Sequence, residues 1–287
     1  MSAIPNSTPV DAAARKLGMS RTQKLLFFLT AWLICLMPFL FWWNTWFGRK
    51  LSDQQLTEYL HDTKKPRHIQ QALVQMGERI TRHDATAKRW YPDLVRLATD
   101  PVEEVRNTDA WVMGQDTSGV RFHETLLNML SDPSQMVRGN AALSLVCFGD
   151  ATGRPQVLAL LQPAQITAPE AGRIIDSDRP GTAIHQGGLI AKLEYGQKKI
   201  AEIRSPIPGR IRSVAGTGAN LAAGAEVAVI DPASDQVWEA LRALYLIGQP
   251  DDLPAIRPYQ RDLPDIPDHV RQQALETENA IRKRFNP

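Results

Sequence analysis

Cysteine is scarce in this chain. Its 287 residues include only Cys35 and Cys147, too few for a disulfide framework, and cysteine usage leaves the compartment open. A dominant charge is also missing. The formal net charge is +2, and the basic residues are scattered rather than clustered among aromatics, which argues against a nucleic-acid partner. The histidines, His61, His68, His83, His123, His185 and His269, stand outside any H-E-x-x-H or H-x-x-E-H context, and no C-x-x-C pair exists, so no metal site is read. There is no G-x-S-x-G and no phosphate-binding G-x(4)-G-K-S/T. Gly216-x-Gly218 reads as a turn. These absences leave no catalytic set, so the expectation is a non-enzyme without cofactor or metal. The length suits two modest domains.

One long stretch lacks charge altogether. Leu25 to Gly48 reads LLFFLTAWLICLMPFLFWWNTWFG, bracketed by Arg21 and Lys24 on one side and Arg49 and Lys50 on the other. A membrane span takes ~20 apolar residues, and Trp42, Trp43 and Trp46 sit where interfacial rings would. Pro38 is tolerable in such a helix. The rival is a cleaved leader, but the run exceeds the usual core of about 7–15 residues and no small-x-small site follows. The reading is a transmembrane helix over 25–48 behind a tail at 1–24, with the lipid bilayer as one partner. Arg15, Lys16, Arg21 and Lys24 precede the run. By the positive-inside tendency this places the N-terminus inside a bacterial inner membrane and the soluble bulk in the periplasm, as a single-pass envelope protein.

Beyond it, two segments repeat. YPDLVRLATDPVEEVRNTDAWVMG from Tyr91 aligns with HETLLNMLSDPSQMVRGNAALSLVCFG from His123. Leu94 matches Leu126, Asp100-Pro101 matches Asp132-Pro133, Val105-Arg106 matches Val137-Arg138, and Ala110 matches Ala142. Each unit reads as a helix, a D-P turn and a second helix, because proline ends the first and fits the first turn of the next. Weaker copies cover Leu56–Gly77 and the C-terminal stretch from Asp251, where Asp265 and Arg271 keep the Asp–Arg spacing. This pattern resembles the HEAT family, including its phycobilisome-lyase-like branch. The resemblance implies an α-α solenoid in which Asp100, Arg106, Asp132 and Arg138 form a structural ladder between neighbouring repeats, and it implies no bilin attachment.

Between Ile166 and Asp231 the period changes to short, glycine-punctuated stretches in two copies offset by about 37 residues. Ile166 matches Ile203, Pro169 matches Pro206, and Gly172-Arg173-Ile174 matches Gly209-Arg210-Ile211. Gly181 and Gly187 match Gly218 and Gly224 without a gap. Glycines at such turns permit positive φ, and alternating apolar residues line one strand face. The doubled half-motif resembles the barrel-sandwich hybrid of biotinyl and lipoyl carriers and of HlyD-type membrane fusion adaptors.

That resemblance implies two roles. Carriers modify a lysine eight residues before the proline of the second half, which is Lys198 here. Their Glu stands three residues before it, within E-A-M-K-M or E-S/T-D-K-A. This chain has Glu194-Tyr195-Gly196-Gln197-Lys198-Lys199, with Glu four before and neither flank, so Lys198 reads as an unmodified, solvated turn. Adaptors of the HlyD type carry an anchor and an unmodified domain, often with a long helical hairpin between its halves. Only YGQKKIAE joins the halves here, which leaves the partner surface to the helices.

The expected fold class is therefore multidomain, α plus all-β: a transmembrane helix (25–48), a HEAT-type solenoid (51–163 and 233–287) and an inserted barrel-sandwich hybrid (164–232). The insertion is placed between the two helices of one repeat, since RPQVLALLQP ends at Pro163 and VWEALRALYLIG follows Asp231-Pro232, read as the same D-P turn. The expected function is a membrane-anchored, non-catalytic adaptor binding protein partners in a transport or secretion complex. The alternative is a carrier subunit modified at Lys198.

Overall fold

The computed structural model describes residues 21–46 and 50–285. Helix α1, Arg21–Trp46, contains Pro38 and belongs to a unit separate from the one that begins at Ser52. Among the described residues no helix is long and apolar enough to cross a membrane. The transmembrane helix and the single-pass inner-membrane placement are corrected accordingly, and the periplasmic assignment falls with them. Arg15, Lys16 and the end of the run at Phe47–Arg49 lie outside the described residues.

From Ser52 onward short helices alternate with longer ones. They are α2 Asp53–Leu60, α3 Pro66–Thr81, α4 Tyr91–Leu97, α5 Glu103–Met113, α6 Phe122–Met129, α7 Gln135–Cys147, α8 Arg154–Ala159, α9 Ser234–Ile247, α10 Leu253–Ile256 and α11 Asp268–Phe285. Local chemistry sets their ends. Ser52 closes a capping box on α2 with Gln55, which satisfies two orphan donors at once. Pro66 opens α3. Asp100 Oδ1 accepts from the Val102 N–H at 2.9 Å and Asp132 Oδ1 from the Ser134 N–H at 2.8 Å, so each D-P turn is tied by its own carboxylate. The longer helices α3, α5, α7, α9 and α11 stack in series, each beside its shorter partner. Two buried hydroxyls stitch the stack: Ser144 Oγ donates to Ala110 O at 2.8 Å and Thr277 Oγ1 to Leu241 O at 3.0 Å.

Eight strands lie in sequence between α8 and α9: β1 Ala164–Thr167, β2 Gly172–Ser177, β3 Ala183–Ile184, β4 Leu189–Tyr195, β5 Lys199–Arg204, β6 Gly209–Val214, β7 Asn220–Leu221 and β8 Glu226–Pro232. They form two antiparallel four-stranded sheets, ordered β1-β8-β6-β3 and β5-β4-β2-β7. The sequence repeat maps one sheet onto the other, bulges included. Ala164↔Ile230 has its counterpart in Ala201↔Leu193, and Gly172↔Tyr195 in Gly209↔Pro232. The inner faces share one core, with Ile174 and Ile211, Ile190 and Val227, and Leu193 and Ile230 at equivalent places. The sheets do not close into a barrel, which corrects that part of the expected fold class. Their outer strands β3 and β7 are only two residues long, too short to carry a ladder across the gap. The molecule is thus a mixture of helices and open antiparallel sheets.

The chain ends of this β unit meet at β1 and β8, and α8 packs directly on α9. Val157, Leu160 and Leu161 share a buried cluster with Val237, Ala240, Leu241 and Leu244. Asp231-Pro232 does not form a D-P turn of the helical kind. Both residues belong to β8, and Asp231 pairs with Arg212.

Candidate functional site

The ladder residues divide unequally. Arg106 stands on the first turn of α5 and sends Nε to Asp132 Oδ2 at 2.7 Å and Nη2 to Asp132 Oδ1 at 2.9 Å. Its Nη1 donates to Asp100 O at 2.8 Å. Arg106 thus meets the side chain of the next repeat's aspartate and only the backbone of its own. Burial pushes the Asp132 carboxyl up, but hydrogen bonds from Arg106 and the Ser134 N–H outweigh it and hold the group below the usual carboxylate range. Arg138 repeats the backbone half of this arrangement, with Nη1 donating to Asp132 O and Pro133 O. The spacing of Asp265 and Arg271 leads to no rung, since Arg271 pairs with Asp262 and Asp268.

The glycines of the β unit hold two kinds of place. Gly181, Gly187, Gly218 and Gly224 have positive φ at turns that side chains resist. Gly172 and Gly209 instead lie against the carbonyls of Glu194 and Asp231 on the adjoining strand, where a Cβ has no room.

Lys198 sits in the turn between β4 and β5, exposed, with φ 57°. Tyr195↔Lys199 closes the hairpin below it. Under the internal symmetry this tip is equivalent to the β8–β1 end, where the chain passes to the helices. One end of the β unit is therefore tethered and the other bears Lys198. The unit is also held along its flank. Glu103 of α5 accepts from Gln186 in the turn after β3 and from Ser134 Oγ, Met136 of α7 packs on the β core, and the Ala233 N–H donates to Pro208 O at 3.0 Å.

A broad groove of about 620 Å³ runs over α5, α7, α9 and α11, and sequence patterning gave no sign of it. Trp111, Tyr245 and Leu246 are 43%, 43% and 61% exposed there. Trp111 lies over Gly77 of α3, where an added Cβ would come within 2.7 Å of its ring. Arg242 stacks on Trp238 at 4.7 Å, and Glu239 and Glu276 add charge at the rim. Cys147 also lines the groove. Burial pushes its thiol up, so it is no ready thiolate nucleophile. The signal missed in the sequence was the recurrence of large apolar residues on the outer face of successive second helices, which is visible only once the stacking order is known.

Asp109 of α5 is the one wholly buried carboxylate among the described residues, and neither oxygen has a hydrogen-bond partner. Burial raises its pKa well above the ordinary value; Asp100 adds to this and Arg96 opposes it. Tyr259, at the junction between the β unit and the C-terminal helices, is pushed up to about 12 by burial and by Asp231, and its hydroxyl donates to Leu161 O at 2.5 Å. Among the described residues no three His, Cys, Asp or Glu side chains converge as metal ligands.

No family model matches this chain, and no curated protein matches it. Among solved structures, a single-chain, multi-domain long-chain acyl-CoA carboxylase aligns over 48% of this chain and 14% of its own, at 16% identity and a TM-score of 0.24. The match spans a small part of that protein and says nothing of the activity here.

Proposed function

We propose that this chain is a non-catalytic scaffold that binds a protein partner along the outer face of α5, α7 and α9. The observation that carries this reading is the exposed Trp111 on α5 together with Tyr245 and Leu246 on α9, either side of α7 in one groove. Aromatic and large apolar side chains of this kind are enriched at protein interfaces and dominate their energetics. The β unit is held against the N-terminal ends of α5 and α7 through Glu103, Gln186 and Met136, which suits a fixed platform better than a mobile carrier. The test replaces Trp111 and Leu246 together by serine and compares crosslinked partners in source cells. Loss of one defined partner, with the helical circular dichroism spectrum unchanged, is expected. Recovery of the same partner at wild-type yield would sink the reading.

The second reading, a biotin or lipoate carrier, is favoured by one observation: Lys198 projects from the free end of the β unit. Intact mass after expression beside a biotin or lipoate ligase tests it. The scaffold reading expects the mass of the bare chain, and a stoichiometric adduct lost in Lys198→Arg would establish the carrier.

A further inference from the structure

The ladder ends on an open rung. Arg106 and Arg138 occupy the same place on α5 and α7, and each guanidinium is oriented by the same pair of carbonyls. Arg106 Nη1 donates to Asp100 O at 2.8 Å and Pro101 O at 3.3 Å; Arg138 Nη1 donates to Asp132 O at 2.7 Å and Pro133 O at 2.9 Å. The other edge of Arg106, formed by Nε and Nη2, is filled by both oxygens of Asp132. The turn that follows α8 would supply the matching carboxylate for Arg138. That turn reads Gln162-Pro163 where the earlier ones read Asp100-Pro101 and Asp132-Pro133, and it runs straight into β1. Gln162 is exposed. Among the described residues no carboxylate lies within ion-pair distance of Arg138, whose hydrogen bonds all leave from Nη1.

We propose that the Nε/Nη2 edge of Arg138 is a carboxylate-binding site, occupied by an aspartate or glutamate side chain of a protein partner as the next rung of the ladder. A guanidinium edge and a carboxylate match in a planar, two-bond geometry. The two carbonyls hold the fork in that orientation beforehand, which reduces the ordering cost of binding. Arg138 is half-buried, so salt screens such a pair less than it screens an exposed one. The site rests on the geometry of Arg138 alone; its use by a protein rests on the scaffold reading.

The test follows the Nε–H resonance of Arg138 in the full chain, assigned with Arg138→Lys, during titration with acetate and then with an end-capped peptide of aspartate and glutamate. Arg138 should shift saturably with both probes, while Arg106, already filled, stays still. The peptide should bind at least tenfold more tightly than acetate. Gln162→Asp, which supplies the carboxylate from within the chain, should abolish the response and raise the melting midpoint. An unresponsive Arg138, or a response that survives Gln162→Asp at wild-type affinity, overturns the site. Peptide binding no tighter than acetate overturns the protein occupant. Saturable binding at Arg138, combined with undiminished partner recovery after the Trp111 and Leu246 replacements, would keep the site and reject the proposed docking face.

Discussion

Arg106 and Asp132 face each other across one repeat in a two-bond pair whose side chains are only 13% and 8% exposed. Removing one partner leaves the other desolvated and alone, which costs about 3 kcal/mol for a pair of this burial. Arg106→Ala and Asp132→Asn should each lower unfolding stability by roughly that amount, and the double variant should cost little more than either single one. The pH dependence has a definite sign. The Asp132 carboxyl is held below its ordinary value in the folded chain, so its contribution is present above the unfolded value of ~3.9 and is lost as pH falls through the lower, folded value. Urea unfolding of wild type and Asp132→Asn at neutral and acid pH measures this. Additive single effects, or a gap between the two proteins that does not narrow in acid, would contradict the pairing.

Asp109 predicts the opposite slope. The repeat alignment sets it against Ala141, and both positions are wholly buried. Its folded pKa is raised, first by burial and also by Asp100, against the pull of Arg96. The folded state therefore keeps a proton that the unfolded chain gives up above ~3.9. Wild-type stability should fall as pH rises from there through the folded pKa. Asp109→Ala, which restores the residue of the next repeat, should be stabilising by about 1 kcal/mol at neutral pH and gain little near pH 4. A difference between wild type and variant that is flat with pH would show that Asp109 has the same pKa in both states.

Much of the fold from Ser52 onward was legible because its signals are local. The D-P turns carry their own caps in Asp100 and Asp132, and the β-unit repeat announces itself through Gly181 and Gly218, which need positive φ for reasons internal to each turn. The third D-P pair misled. Asp231-Pro232 reads like Asp132-Pro133 in sequence, yet Asp231 lies in β8 and is claimed by Arg212, a partner that only sheet register reveals. The charge-free run misled as well: absence of charge over 25–48 suggested a span, whereas among the described residues no helix meets the requirement. The groove under Trp111 and Tyr245 and the vacant edge of Arg138 were not legible, because each depends on which helices become neighbours.

The internal symmetry of the β unit predicts a matched pair of sensitive sites. Gly172 and Gly209 are equivalent, and at both a Cβ would collide with the carbonyl of the adjoining strand, Glu194 or Asp231. Backbone cannot yield as a flexible side chain can, so Gly209→Ala should cost about 2 kcal/mol or more, and Gly172→Ala a similar amount. A Cβ at Gly216 meets open space, so Gly216→Ala should be nearly neutral. Thermal melts of the three variants test the contrast; equal midpoints would refute it.

The β unit should be removable. It enters from α8 and leaves to α9 through paired strands, with Ala164 opposite Ile230, so its ends are neighbours and a short linker can replace it. The contacts on either side do not need it. Val157, Leu160 and Leu161 already pack on Val237, Ala240, Leu241 and Leu244, and Gln236 Nε2 donates to Leu160 O at 2.9 Å. What is lost is the flank contact through Glu103 and Gln186, the cover that Met136 has on the β core, and the bond from the Ala233 N–H to Pro208 O. In a helical stack, stability is approximately the sum of units and their nearest-neighbour interfaces, and the α8–α9 interface survives the excision. A chain joining Pro163 to Ala233 through a short glycine-serine turn should keep its helical circular dichroism and unfold in one cooperative transition, with a midpoint modestly below that of the full chain. A non-cooperative melt, or loss of protection in α9 and α11 by hydrogen exchange, would mean that the sheets hold the two halves of the stack together.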